Sequence, residues 1–320
     1  MEVKNEKVLQ LIHVKKEFEL KDKKHLKAVN DVTLDIEDGE CVGIVGESGC
    51  GKSTLAKLIT CMESVSDGQI LFQGQDITNL KGKELRAYRR QAQMIFQDPA
   101  SVFSPRMKIG TFLMEPWKNF EKKNKKEAME MGYYALQRVG LPDHYFHKYP
   151  HELSGGELQR VAIARAIALH PKLLICDEAT SALDVSIQKD IIDLLQEHRE
   201  ESPFSILFIC HDLALVENFC DKVAVMYLGK IVEIMEVKAL RKNARHPYSK
   251  ALLDSVFYVY DDPSKELHIL PGEPPSAVNL PKGCAFCERC KYATEKCRES
   301  QPELRMVEDG HWVSCHCERM

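Results

Sequence analysis

Apolar and polar positions follow two rhythms along this chain. Continuous apolar runs fall at CVGIV (41–45), LLIC (173–176) and SILFIC (205–210). Short runs of this kind predict strands of a parallel sheet covered on both faces. VTLDI (32–36) alternates apolar and polar, which predicts a half-buried strand. It is one of two or three β segments expected across 8–36, with the charged stretch KDKKH (21–25) as a hairpin tip. SDGQILFQGQDI (66–77) reads as a turn, a strand and a tight turn at Gly74. KVAVMYLGKIVEI (222–234) reads as a hairpin turning at Leu228-Gly229. MIFQDPASVFSPRM (94–107) is a strand that polar and proline residues then break.

Helical stretches separate these strands. They are expected from Lys52 to about Cys61, over 81–91, 110–140 and 185–200, and over 237–256. In YPHELSGGELQRVAIARAIALHP (149–171), Ser154 precedes Glu157 by three residues, a capping-box signature, and Pro171 ends the helix. Residues 261–283 are rich in proline and glycine and predict irregular structure. No internal repeat is visible. The alternation of strand and helix makes the fold class α/β.

The strand at 41–45 leads into GESGCGKS (46–53), which fits G-x-x-x-x-G-K-[ST], a phosphate-binding loop between strand and helix. Glycines let backbone N–H groups converge on phosphate oxygens, and the following helix turns its positive end toward the anion. Lys52 can reach the β- and γ-phosphates and the Ser53 hydroxyl can ligate Mg²⁺, so the site takes a nucleoside triphosphate. Asp177 and Glu178 end another apolar run, at the carboxyl edge where ligands of such sheets sit. Asp177 is suited to hold Mg²⁺ and Glu178 to polarise the attacking water. His211 follows SILFIC at a comparable position. The Gly155-Gly156 pair at a helix start offers bare N–H groups, a second potential phosphate site. Phe18, just before the charged tip, reads from physics alone as a packing residue.

Composition narrows the setting. Basic residues number 44 and acidic ones 48, a net charge of −4, which gives no support to a nucleic-acid partner held by overall charge. The first residues are too charged for a signal peptide, and no apolar run approaches the roughly 18 residues that span a bilayer. The chain is therefore expected in the cytosol, reaching a membrane only through a partner. Of its twelve cysteines, six (Cys284, Cys287, Cys290, Cys297, Cys315 and Cys317) crowd the C-terminal segment, and in a cytosolic protein such crowding points to metal before disulfides.

Taken together and in order, these motifs resemble the ATP-binding subunit of ABC transporters over about residues 8–234. Gly46–Ser53 is similar to the Walker A loop, Gln97 in IFQDP to the Q-loop glutamine and LSGGELQR (153–160) to the signature motif. Asp177 and Glu178 match Walker B and the catalytic glutamate, SALD (181–184) the D-loop and His211 the switch histidine. The resemblance implies a P-loop NTPase (RecA-like) core with an antiparallel β subdomain and a helical signature subdomain at about 98–165. A small Cys-rich extension, 236–320, would follow a nucleotide domain at 1–235. It implies catalytic roles for Glu178, His211, Lys52 and Gln97. ATP would be held by Gly46, Glu47, Ser48, Gly49, Cys50, Gly51, Lys52, Ser53 and Thr54, with Mg²⁺ at Ser53, Gln97 and Asp177. Phe18 falls where the family stacks an aromatic on the base. In this family two nucleotide domains close head to tail, so Ser154, Gly155 and Gly156 would meet the partner's ATP. Glu157 departs from the family's usual glutamine; as a capping acid it is expected to turn to the helix backbone.

HPYSKALL (246–253), LPGEPPS (270–276), GCAFCERC (283–290) and SPRMKIG (104–110) resemble oligopeptide, dipeptide and nickel importer ATPases. In relatives, cysteines like Cys284, Cys290, Cys297 and Cys315 are proposed to bind a [4Fe–4S] cluster, with Cys287 and Cys317 extra. The spacing C-x₂-C-x₂-C also suits a cluster loop. Zinc is the rival, then unmetallated thiols. The implied partners are a second ATPase subunit, a paralogue in a heterodimer, two membrane permeases and a periplasmic or extracellular solute-binding protein, without nucleic acid. The expected location is the cytoplasmic face of the membrane, and peptide is preferred over nickel as solute. A soluble ABC ATPase acting on nucleic acid or ribosomes is the alternative of another class; it would usually carry two nucleotide domains or long coiled-coil insertions. A third reading makes the cysteine segment a metal or redox sensor that regulates transport.

Overall fold

A computed structural model describes residues 6–179, 183–255 and 272–317. The expected D-loop residues Ser181 and Ala182, and 261–271 of the proline-rich stretch, lie outside the described residues.

The N-terminal hairpin is formed by β1 (Lys7–Glu19) and β2 (His25–Glu37), with a single 3₁₀ turn at Lys21–Lys23 as its tip. The apolar run at 41 becomes β3 (Cys41–Val45), every residue of it buried, followed by α1 (Lys52–Ile59). Gly74, at φ 76°, turns β4 (Asp67–Phe72) into β5 (Gln75–Asp76). α2 (Gly82–Gln91) leads directly into β6 (Ala92–Ile95), so this strand starts two residues before the expected MIF. The region expected to be helical over 110–140 is two helices, α3 (Ile109–Phe120) and α4 (Lys125–Arg138). Asn124 separates them because its side chain accepts the N–H groups of Lys126 and Glu127, which starts a new helix. α5 (Gly155–Ile167), β7 (Leu173–Asp177), α6 (Val185–Glu201), β8 (Ser205–Ile209) and α7 (Leu213–Phe219) follow.

β9 (Lys222–Tyr227) and β10 (Lys230–Glu236) form the expected hairpin, with Leu228 and Gly229 at φ 43° and 78°. The helix expected over 237–256 is broken into α8 (Leu240–Asn243) and α9 (Pro247–Asp254). A residue before proline is kept out of helical geometry, while proline itself suits the first helical turn. His246, at ψ 131°, accordingly caps α9, its ring accepting the Tyr248 N–H at 3.1 Å. In the stretch 272–317 come α10 (Glu295–Glu299), β11 (Arg305–Glu308) and β12 (His311–Val313).

The chain divides into two compact units. One is built mainly from Leu80–Ile209, with Glu37–Gly39. Its strands β6, β7 and β8 are parallel, pairing Ile95 with Cys176 and Asp177 with Ile209. All residues of β7 and β8 are buried, as apolar runs covered on both faces should be. Phe146 packs where α3 and α4 each offer a glycine: a Cβ at Gly110 or Gly132 would lie 2.3 or 2.7 Å from its ring.

The other unit comprises Leu9–Ile36, Glu40–Asn79 and the chain from Cys210 on. Here β3 runs parallel to β9, with Ile44 opposite Ala224, and β10, β12 and β11 extend the sheet antiparallel. An antiparallel sheet in the order β2-β1-β4-β5 sets Leu9 against Phe72 and Leu11 against Ile70. Buried Glu233 on β10 accepts the N–H groups of Arg245 and His246 and bonds the His311 ring at 2.8 Å. A buried carboxylate is tolerable only with such partners, so Glu233 pins the start of α9 and β12 to the sheet.

Candidate nucleotide-binding site

The phosphate loop occupies the expected place, between β3 and α1. Gly46 passes so close to β9 that a Cβ would meet the Met226 carbonyl oxygen at 2.1 Å. At Gly51, φ is 108° and a Cβ would meet the Ala28 carbonyl oxygen at 2.1 Å. Only glycine fits either position. Lys52 opens the helix and is 4% exposed; its ammonium lies across the loop, donating to the carbonyls of Gly46 at 2.7 Å and Glu47 at 3.0 Å. Ser48 and Gly49 form the exposed crest. Among the described residues the N–H groups of Ser48, Gly49 and Gly51 make no backbone hydrogen bond, as an anion-binding nest requires. Ser53 and Thr54, half-buried, continue the helix. Cys50 is buried and its carbonyl accepts the Gly229 N–H at 2.8 Å. Burial pushes its thiol up, against the pull of Lys52.

Glu47 has partners that the sequence did not suggest. Its N–H donates to the Tyr248 hydroxyl at 2.8 Å, and its carboxylate receives Arg289 at 2.7 and 2.9 Å. The HPY triplet was the only signal: His246 caps, Pro247 starts the helix, and Tyr248 reaches the loop.

In the other unit, Asp177 is the last residue of β7 and 5% exposed. Glu178 follows in the left-handed region, φ 47°, with its N–H donating to the Ile209 carbonyl at 2.9 Å. A non-glycine residue held there is the kind of strain that marks functional sites. Gln97, exposed and two residues past β6, donates its side-chain amide to Glu178 Oε2 at 2.7 Å. The structure thus brings the side chains of Gln97 and Glu178 together, next to Asp177 in sequence. From Ile209 the chain continues through Cys210 to His211, an exposed residue in the bend before α7; Asp212 caps that helix by accepting the Ala214 N–H at 2.8 Å.

Ser154 caps α5 as expected, accepting the Glu157 N–H at 3.4 Å, while Glu157 Oε2 accepts the Ser154 N–H at 2.7 Å. The Tyr145 hydroxyl donates to the other carboxylate oxygen at 2.5 Å. These bonds, Tyr145 foremost, hold the Glu157 carboxyl below its ordinary value. Glu157 therefore faces the helix backbone, leaving Ser154 and Gly155 exposed. Gly156 is buried, with Ile187 3.0 Å from where its Cβ would stand. Phe18 on β1 is half-buried, with the Lys16 ammonium 4.8 Å from its ring centroid.

Cys284, Cys287, Cys290, Cys297, Cys315 and Cys317 line one small cavity beside His246. The Cys284 N–H donates to the Cys297 carbonyl at 2.7 Å, and burial pushes the Cys284 thiol up to about 12. Thiols suit iron–sulfur or zinc chemically, but they bind as thiolates. Among the described residues no group of three or more His, Cys, Asp or Glu is arranged to hold a metal ion. The expected iron–sulfur cluster and its zinc alternative are thus not supported by this arrangement. No described helix is long and apolar enough to cross a membrane.

Comparison with known proteins agrees with the motifs. Residues 29–181 match the ABC transporter family model, and residues 232–297 match the oligopeptide/dipeptide transporter C-terminal region. The oligopeptide transport ATP-binding protein AppF of Bacillus subtilis is 43% identical over 320 residues, covering 97% of each chain. The oligopeptide transport ATP-binding protein OppF of Escherichia coli is 43% identical over 321 residues, covering 96% of this chain and 95% of the relative. The dimeric structure of a post-hydrolysis state of the ATP-binding cassette MJ0796, bound to ADP and Pi, is similar with a TM-score of 0.66. That likeness has 27% identity over 72% of this chain and 98% of the other. The chain belongs to the ATP-hydrolysing, ATP-binding protein family of ABC transporters.

Proposed function

We propose that this chain is the subunit whose ATP hydrolysis energises an importer of di- or oligopeptides, working at the cytoplasmic face of the cell membrane. The observation that carries the reading is the match of 232–297 to the oligopeptide/dipeptide transporter C-terminal region, in a chain whose phosphate loop is intact. A nickel or metallophore importer is the second reading, resting on the same C-terminal resemblance.

Lys52 and the amides of 48–53 take the β- and γ-phosphates, while Ser53, Gln97 and Asp177 serve Mg²⁺. Glu178 orients and polarises the water whose oxygen attacks the γ-phosphorus as the bond to the bridging oxygen breaks, giving ADP and phosphate. His211 steadies the γ-phosphate and Phe18 stacks on the base. At the start of α5, Ser154 and Gly155, exposed, and Gly156, buried, meet the ATP of a second ATPase subunit, a paralogue in a head-to-tail heterodimer. The similar cassette MJ0796 is dimeric, which supports the pairing of two ATPase subunits. ATP favours the closed pair, and that difference in affinity supplies the work. Two permeases and a solute-binding protein complete the importer. The nucleotide domain is assigned to 1–235, its helical part to about 98–165, and the extension to 236–320.

A [4Fe–4S] cluster on Cys284, Cys290, Cys297 and Cys315 is proposed from the family resemblance and the C-x₂-C-x₂-C spacing, not from the arrangement of the described thiols. Anaerobic purification with metal analysis and a visible spectrum tests this; colourless protein carrying stoichiometric zinc, or no metal, would refute it. For the main reading, the test is ATP hydrolysis and labelled-peptide uptake by cells carrying the chain or its Glu178→Gln variant. Uptake should fall with hydrolysis; peptide uptake that survives would remove the peptide assignment.

A further inference from the structure

The first bend of the phosphate loop is gripped by two residues lying 201 and 242 positions further along the chain. Tyr248 is fully buried and wedged between the rings of Tyr227 and Phe286, at centroid distances of 4.6 and 5.4 Å, so its hydroxyl has a fixed position. That hydroxyl takes the Glu47 N–H at 2.8 Å. This amide is thereby turned away from the nest, while those of Ser48, Gly49 and Gly51 remain without backbone acceptors among the described residues. Arg289 closes a two-pronged bond on the Glu47 carboxylate, Nη1 to Oε2 at 2.7 Å and Nη2 to Oε1 at 2.9 Å. The Arg289 side chain is 5% exposed and that of Glu47 is 27% exposed. Such a fork fixes orientation as well as charge. Without it, Glu47 would place an uncompensated carboxylate in a loop that receives a polyanion. Arg289 belongs to the turn Cys287–Arg289, between two thiols of the cysteine-lined cavity.

We propose that Tyr248 and Arg289 are positioning residues of the phosphate loop, which act through Glu47 to set nucleotide affinity from the C-terminal segment. The inference rests on reading 46–53 as the nucleotide site. Preorganised amides bind an anion without first having to be ordered, and the neutralised Glu47 does not repel it. Neither residue touches the reacting phosphate, so the effect falls on binding and not on the chemical step.

The test uses the full chain, the fluorescent analogue N-methylanthraniloyl-ATP with Mg²⁺, and steady-state ATP hydrolysis. Tyr248→Phe removes the acceptor and keeps the ring; Arg289→Met removes the fork and keeps the stem. Each is expected to raise the Kd for the analogue and the KM for ATP roughly 3- to 30-fold, with kcat within about twofold of wild type. Arg289→Met added to Glu47→Ala should change Kd no further. Wild-type affinity in both folded single variants, or an undiminished Arg289→Met effect in the Glu47→Ala background, overturns the proposal. If Arg289→Met loses its native circular dichroism, Tyr248→Phe decides alone. Wild-type protein that fails to bind the analogue would instead defeat the nucleotide-site reading, and the inference with it.

Discussion

The side-chain amide of Gln97 donates to the Glu178 carboxylate at 2.7 Å, from the end of β6 to the end of the parallel strand β7. Glu178 is fixed twice more, by its left-handed backbone and by the bond from its N–H to the Ile209 carbonyl. A carboxylate held this way keeps a fixed orientation at the end of β7. In the proposed mechanism Gln97 would thus position Glu178, in addition to its proposed part in serving Mg²⁺.

Replacing Glu178 with Gln keeps the shape and removes the base. Turnover should fall by about 10²- to 10⁴-fold, the range for losing a general base, while analogue binding stays at the wild-type level. Steady-state hydrolysis beside an equilibrium titration measures both. Normal turnover in this variant would end the role given to Glu178.

Lys52 is the buried cation of the loop, and its ammonium donates to the Gly46 and Glu47 carbonyls and the Cys50 sulfur. ATP at a hundred times its Kd should stabilise wild-type protein by about 2.7 kcal/mol. Lys52→Met should lose most of that gain in a thermal melt with Mg-ATP while melting normally without nucleotide. An unchanged ATP-induced shift would show that the lysine does not hold the phosphates.

These features differ in how far the sequence disclosed them. The phosphate loop, the capping role of Glu157 and the turn at Leu228-Gly229 were legible because each depends on neighbours within a few residues. The break at His246-Pro247 was written in the proline, although 237–256 reads as one helical stretch. β11 and β12, at four and three residues, are too short to show a period of two. The grip of Tyr248 and Arg289 on Glu47 was not legible beyond the HPY triplet itself, since no local pattern links residues so far apart. The Gln97–Glu178 bond could be anticipated only through the family resemblance, because nothing in IFQDP itself points to a distant glutamate.

The Tyr145 bond gives a pH prediction. Hydrogen bonds from Tyr145 and then from the Ser154 backbone hold the Glu157 carboxyl below its ordinary value. Because the folded value is depressed, the stabilisation is fully present above the ordinary carboxylate range and is lost as pH falls through the depressed value. In a carbon-detected NMR titration, Glu157 should titrate below the ordinary glutamate value, and Tyr145→Phe should bring its midpoint back up. An unmoved midpoint in that variant would show that the bond does not form in solution.

Gly51→Ala tests the clasp around the loop. The new Cβ would lie 2.1 Å from the Ala28 carbonyl oxygen, at a φ of 108°. The backbone strain alone costs on the order of 1–3 kcal/mol, and the clash adds to it. Urea unfolding should show at least that loss, with weakened analogue binding. Gly49→Ala is the control for space, since nothing lies within 4 Å of its Cβ position, although its φ of 77° still carries strain. Equal losses in the two variants would mean that the close approach to Ala28 has no cost.

The most direct measurement of the central claim is uptake of a radiolabelled oligopeptide by cells lacking the chromosomal copy of this chain, complemented with wild type or with Glu178→Gln at equal abundance. Wild type should restore ATP-dependent peptide uptake and Glu178→Gln should not, with nickel uptake unaffected by either. Restored nickel uptake without peptide uptake, or peptide uptake supported equally by Glu178→Gln, would contradict that claim.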